Sequence, residues 1–315
     1  MDFTLTDDQH LLRDTARNLL AKECPVALVR AHIDDRSAAD PLWKHLAEWT
    51  ELGDGPLVGL CLFLEETGAA LAPGPFLVTT AMFAGLGIGP GPGTVALSPD
   101  VAPVMPFVLD ADLVERVAFV LPGPVVAVCD RDGLDLRPVA ALDPSRRLFE
   151  VPVPADTRGE PLDPAVLQAM LERTYVALAA EMLGTARRLF EMTLAYAKQR
   201  EQFDHPIGSF QAIQHKLANM ALVLERAWSA VYYAAMTIDA GDPERHRAAH
   251  VAKASAGEAA KLCAKDGIQI HGGIGFTWEH DLHLYIRRAY GDEHLLGTSA
   301  WHHDRLGDLL MPTAP

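Results

Sequence analysis

From about residue 160 onward the chain is written in helical period, and no other feature restricts its fold as strongly. Asp163 and Pro164 supply a cap and a first-turn signal. The stretch LQAMLERTYVALAAEMLGTARRLFEMTLAYAKQR continues from them as one long helix. A second long helix spans about residues 209–240; Gly241 ends it, and Asp242 with Pro243 restarts a third that runs to about residue 270. Two shorter helices follow the GGIG break. Helices of this length must bury their apolar stripes against one another, so the pattern predicts a four-helix bundle.

The chain changes character twice before that. Residues 1–90 read as helical. Thr6 ahead of Asp7 and Asp8 caps a first helix whose apolar face is Leu11, Leu12, Ala16, Leu19 and Leu20. Pro41 opens a second helix, Leu42 to Glu51, which Gly53 stops. LVGLCLFLEETGAAL and FLVTTAMFAGLG read as two more, separated by the break at Pro73 to Pro75. Residues 91–158 differ: the short β-branched runs TVAL, VAFVL, VVAVC and LFEVPV alternate with Gly, Pro and Asp turns, which predicts a reduced β domain. The fold class is mainly α with a small β domain, divided at 1–90, 91–158 and 159–315.

Charge narrows the partners. A formal net charge of -15 argues against nucleic acid and against docking on anionic membranes, since both need clustered Lys and Arg. The first residues, MDFTLTDDQH, lack the basic and apolar segments of a signal peptide, and no apolar run reaches membrane-spanning length. Cys24, Cys61, Cys129 and Cys263 are scattered, which suits reduced thiols and a cytoplasmic location. His302 and His303 are adjacent and point to different helix faces, so no metal site is expected.

Two segments carry chemistry. The first, Arg200 to Met220, is REQFDHPIGSFQAIQHKLANM, a connection between long helices with an Arg at its start and Gln211 and Gln214 at the next helix's opening turns. An Arg fork and a helix N-terminus both suit phosphate oxygens. The second is QIHGGIGFTWE, Gln269 to Glu279, whose paired glycines allow a close backbone approach and offer amides to an anion. Taken singly, Gly272 and Gly273 also fit a plain helix stop, and Arg200 a surface charge. Together, RxQFxxPIGxFQxIQxxLAxM followed by QIHGGIGF resembles the C-terminal helical domain of the acyl-CoA dehydrogenase family. The resemblance is close over about residues 170–310 and looser through ELG…LEETGAALAPGPF. It implies the order helical domain, β domain, helical bundle, and FAD as cofactor. It also implies that these two segments reach across a dimer interface to the ADP and diphosphate of a neighbour's FAD, which makes Arg200, Phe203, Gln211, Gln269, Gly272 and Gly273 the cofactor-binding candidates.

The family reaction removes the α and β hydrogens of an acyl-CoA thioester, and a carboxylate takes the α proton. The resemblance places that base at Leu296, just before Gly297 and Thr298, or in some branches at Thr174; neither side chain can serve. No catalytic residue is therefore expected. Glu172, two residues before Thr174, reads as a solvated charge or a helix ion pair. The family's TEPxxGS-like and WITN-like flavin strands are also missing between Gly91 and Ala155, and all five tryptophans lie outside that region.

Such a chain resembles the shorter subunit of the α2β2 acyl-CoA dehydrogenases of steroid and cholesterol degradation. That likeness implies a longer homologous partner with the catalytic Glu and an acyl-CoA in the partner's pocket. Two alternatives stand beside it: a self-sufficient dehydrogenase with a base relocated to Asp292, Glu293 or His294, which otherwise read as ordinary polar residues at a helix start, and a non-enzymatic scaffold on the same fold.

Overall fold

The computed structural model describes residues 3–98 and 103–311. The N-terminal region holds α1 (Asp7–Glu23), α2 (Val26–Asp34), α3 (Asp40–Ala47) and α4 (Leu57–Ala70), and then one π-helical turn at Val78–Phe83. Thr6 caps α1 as its sequence predicts: the Gln9 amide donates to Thr6 Oγ1 at 3.3 Å, and the Thr6 amide donates back to Gln9 Oε1 at 3.0 Å. Helix α2 was not anticipated, because Pro25 at its N-cap offers no capping side chain. The helix expected to reach Glu51 ends at Ala47, and a separate 3-10 turn covers Thr50–Gly53.

The β region contains β1 (Gly93–Leu97), β2 (Val104–Leu109), β3 (Arg116–Leu121), β4 (Val125–Asp130), β5 (Arg137–Val139), β6 (Leu148–Pro152) and β7 (Glu160–Pro161). They form two sheets, ordered β1-β3-β4-β7 and β2-β6-β5. All four runs read as strands are present. Strand β2 escaped the sequence reading because Pro106 interrupts it and a bulge falls between Met105 and Val108, with Phe107 at φ 54. Strand β7 pairs with β4 and lies beyond residue 158, the expected limit of this region.

The C-terminal region is built from α5 (Pro164–Gln199), α6 (Gln211–Asp239), α7 (Arg245–His271), α8 (Leu282–His294) and α9 (Ser299–Leu310). Asp163 caps α5 through the Ala165 amide at 2.8 Å, with Pro164 in the first turn. Helix α4 is mostly apolar and, Gly59 apart, buried from Leu57 through Gly68, with its Glu65 and Glu66 paired to Arg187 and Arg17, so it serves as the hub between the N-terminal helices and the bundle. Helices α4 and α5 touch backbone to backbone. A β-carbon on Gly68 would lie 1.9 Å from the Glu181 carbonyl oxygen, and one on Gly184 would lie 1.8 Å from that of Glu65.

A buried charge network ties the β region to the bundle. Arg146 reaches Glu181 on α5 at 2.9 Å and Asp292 on α8 at 2.8 Å. Arg288, with no exposed surface, returns from α8 to Ser145 at 2.8 Å, to Asp143, and to Glu181 at 3.1 Å. Buried charges persist only when paired this completely.

Candidate functional site

The connection between α5 and α6 is more ordered than a loop. Strands β8 (Glu201–Gln202) and β9 (His205–Pro206) form a small hairpin. Its two turn residues, Phe203 at φ 56 and Asp204 at φ 63, occupy the left-handed region that non-glycine residues seldom adopt. The geometry pushes Phe203 outward, where it is 86% exposed. Arg200 caps the C-terminus of α5 and is exposed. Gln211, also exposed, is the first residue of α6, whose N-terminus carries no side-chain cap. At the end of α7, Gln269, Gly272 and Gly273 are all exposed. Gly272 takes φ 62 and ψ -139, a backbone state open in practice to glycine alone, and a β-carbon at either glycine would meet nothing within 4 Å.

The structure brings these six residues to three helix ends, those of α5 and α7 and the start of α6. Tyr196, in the last turn of α5, stacks on His271, the last residue of α7, with ring centroids 4.3 Å apart and planes 19° from parallel. Lys216 on α6 pairs with Asp266 on α7. A guanidinium, an uncapped helix start and two bare glycine amides thus present hydrogen-bond donors on one exposed side of the bundle. This donor set fits a diphosphate, and the neighbouring exposed aromatic fits the apolar surroundings of a nucleotide.

The expected base position has different surroundings. Leu296 is at φ 56 and Gly297 at φ 101, in the turn between α8 and α9. The Leu296 side chain packs on the apolar cluster joining the π-helical turn, the β region and α5, which includes Phe83, Val95, Val120, Leu162 and Met170. His302 Nε2 donates to the Leu296 carbonyl at 3.2 Å. Lys253, without exposed surface, donates to the carbonyls of Asp292, Glu293 and Gly297 at 3.3, 3.4 and 3.0 Å. Burial brings the Lys253 pKa down to about 8. Thr174, equally buried, donates its hydroxyl to the Met170 carbonyl at 2.7 Å.

The acidic neighbours are committed elsewhere, and two expectations about them need correction. Asp292, Glu293 and His294 end α8 rather than start a helix. Asp292 is fully buried; desolvation raises its pKa to about 6 against the opposing pull of Arg146 and Arg288. Glu293 is desolvated too, but hydrogen bonds from Lys261 at 2.7 Å and the Ser299 amide at 2.9 Å outweigh that and lower its pKa. His294 is exposed. Glu172 is neither solvated nor paired only within its own helix: it is 3% exposed and meets Arg245 and His246 of α7, each at 3.2 Å.

The reading from sequence passed over His246 and His250, spaced i, i+4 on α7. Both are engaged by other side chains: His246 meets Glu172, while His250 Nδ1 lies 2.8 Å from His302 Nδ1. Since His302 donates through Nε2, its Nδ1 accepts and His250 donates. Among the described residues no group of three or more His, Cys, Asp and Glu could hold a metal ion.

Comparison with known proteins agrees with this plan. The family model described as acyl-CoA dehydrogenase, C-terminal domain, matches residues 165–311. The Mycobacterium tuberculosis protein acyl-CoA dehydrogenase IpdE2 is 34% identical over 319 residues, covering 93% of this chain and 94% of that protein. Acyl-CoA dehydrogenase FadE34 of the same organism is 35% identical over 94% of this chain, which fills only 47% of that protein. Among solved structures, a variant of the Tcur3481–Tcur3483 steroid ACAD superposes with a TM-score of 0.85 at 26% identity, covering 98% of both chains. The chain belongs to the acyl-CoA dehydrogenase family. FAD is the cofactor of that family, and the donor set at the ends of α5 and α7 is of the kind that its diphosphate requires.

Proposed function

We propose that this chain is the flavin-completing subunit of a heteromeric acyl-CoA dehydrogenase that works in the cytoplasm on a steroid-derived acyl-CoA, and that a longer homologous partner supplies the catalytic Glu. The observation that carries this reading is Leu296. Where the family's carboxylate is expected, a half-buried apolar side chain packs against a hydrophobic cluster, and its turn is pinned by His302 and Lys253. A general base must accept the substrate's α proton, and a leucine side chain has no group that can. The nearby acids are engaged in ion pairs or backbone capping.

The residues left on the surface then define what the chain contributes. Arg200, Gln211 and the Gly272–Gly273 amides would hold the diphosphate, with Phe203 and Gln269 beside it, and so orient a cofactor whose reactive ring lies in the partner's pocket. FAD, when bound, accepts the β hydrogen as hydride; this chain's part is to bind and align it and to exclude water from the joint. The relatives support the assignment. The Tcur3481–Tcur3483 structure is of a steroid ACAD and pairs two names. The 47% share of FadE34 leaves room in one polypeptide for a second unit of at least this size, the arrangement expected if two such units work side by side.

Co-expression with the longer homologue is the test. The expected result is a yellow complex that oxidises a steroid acyl-CoA to its enoyl product, while the chain alone is flavin-free. Stoichiometric FAD and turnover in the lone chain would overturn the assignment.

A further inference from the structure

Beyond the residues that face the cofactor, one side chain stands between both binding segments. His271 is 4% exposed and ends α7 immediately before Gly272. Its Nδ1 lies 2.8 Å from the Gly267 carbonyl, which can only accept, so the proton sits on Nδ1. Burial lowers its pKa, more than the Gly267 bond raises it, and the ring stays neutral. One face stacks on Tyr196, and the ring of His280 packs against it at 4.9 Å and 66°. Tyr196 in turn lies four residues before Arg200 and accepts the Arg200 amide at 2.8 Å through its carbonyl. Within the packing of α5 on α7, this stack, with the Tyr196 hydroxyl donating to the His271 carbonyl at 3.5 Å, is the contact that lies nearest to both the guanidinium and the glycine amides.

We infer that His271 is a positioning residue: with Tyr196 it holds Arg200 and the Gly272–Gly273 turn at one fixed separation, so that both engage the same diphosphate. This deepens the proposed function and rests on it. The physical reason is preorganisation. Two donor groups on separate helix ends strengthen each other's binding only when their spacing is set before the ligand arrives. Gly272 has no side chain to restrain it and Arg200 is solvent-exposed, so the last turn of each helix depends on neighbouring contacts for its placement. The Gly267 bond sets the His271 ring, the stack transmits that orientation to α5, and the glycine-only backbone state follows directly in sequence.

The test uses the flavin-loaded complex with the longer subunit, with FAD dissociation constants for His271→Ala, Tyr196→Ala, the double variant, His271→Phe and His271→Leu. Each single alanine variant is expected to weaken FAD at least about tenfold, with the subunits still co-eluting. The double variant should lose no more than the worse single one, because residues acting as one unit are non-additive. His271→Phe, which keeps a ring for the stack, should recover most of the loss, whereas His271→Leu, which fills the space without a flat ring, should recover little; equal recovery by both would reduce His271 to space-filling. FAD affinity within about twofold of wild type in the single variants, or fully additive losses, would overturn the inference. If the alanine variants fail to assemble, His271→Phe decides alone: retention near wild type supports the stack, and a tenfold loss defeats it. A wild-type complex without FAD would instead sink the proposed function, and this inference with it.

Discussion

Gly184 and Glu65 are in backbone contact: a β-carbon on Gly184 would fall 1.8 Å from the Glu65 carbonyl oxygen, far inside any tolerable separation. Helices α4 and α5 cross there, with Gly68 making the reciprocal approach. Backbone cannot yield as a flexible side chain would, so Gly184→Ala must push two long helices apart through a core with no free volume. We expect little soluble protein from Gly184→Ala. Gly273→Ala, where a β-carbon meets nothing, should express normally. Yield and melting temperature compare the two directly.

Arg200→Ala should leave the melting temperature unchanged, because the side chain is exposed. In the assembled complex it should weaken FAD by at least about tenfold, since a charge-assisted hydrogen bond is worth roughly 1.5–3 kcal/mol. Flavin retention on a desalting column followed by titration measures it. An unchanged affinity would reduce Arg200 to a surface charge.

Glu172→Gln, Glu293→Gln and His294→Gln should each leave turnover of the complex within about threefold, because a true general base contributes roughly 10²–10⁴-fold. The first two should nonetheless lower stability, since each removes a buried carboxylate's charge from its cationic partners. Loss of turnover by a hundredfold in any of the three, with flavin still bound, would identify a relocated base.

Leu296→Glu should not create activity in the lone chain. The new carboxylate would lie against an apolar cluster, so a fall in melting temperature is the expected outcome. Formation of an enoyl-CoA by that single variant would show that the chain retains a complete flavin and acyl pocket.

Acid should loosen the joint between α7 and α9. Burial depresses His250 to about 4 and His302 to about 3, below the unfolded value of 6.5. For a depressed histidine the unfolded chain takes up protons first. The stabilisation is therefore complete above about pH 6.5 and is lost as pH falls toward 3. A His250→Gln/His302→Gln double variant should be less stable at pH 7 and show a shallower loss between pH 6.5 and 4 in urea titrations. An identical slope in both proteins would assign the acid sensitivity to other groups.

Much of this was legible from residues alone, for local reasons. Thr6 and Asp163 with Pro164 mark helix starts through contacts two or three residues away, and the four β-branched runs declare themselves by composition. What was hidden depends on distance in sequence. Glu172, Asp292 and Glu293 look like ordinary surface acids until the residues that satisfy them, 32 to 146 positions away, fold against them. The hairpin tip was hidden for another reason: its positive-φ pair is Phe203 and Asp204 rather than the Asn-Gly that announces such turns. Of the binding segments, the sequence showed the donors; the Tyr196–His271 stack that joins them needed the fold.

The Arg146–Asp292 pair sets a timetable for biosynthesis. The two residues are 146 positions apart, so α8 must be synthesised before the β region can lock onto the bundle. Until α8 emerges, Arg146, Asp143 and Glu181 lack the Arg288 and Asp292 groups that neutralise them, and a shortened product ending before α8 would carry those charges into an interior unable to hold them. The native joint therefore forms only after α8 has been made, and the β region, cut out alone, would leave Arg146 and Asp143 without their partners on α5 and α8.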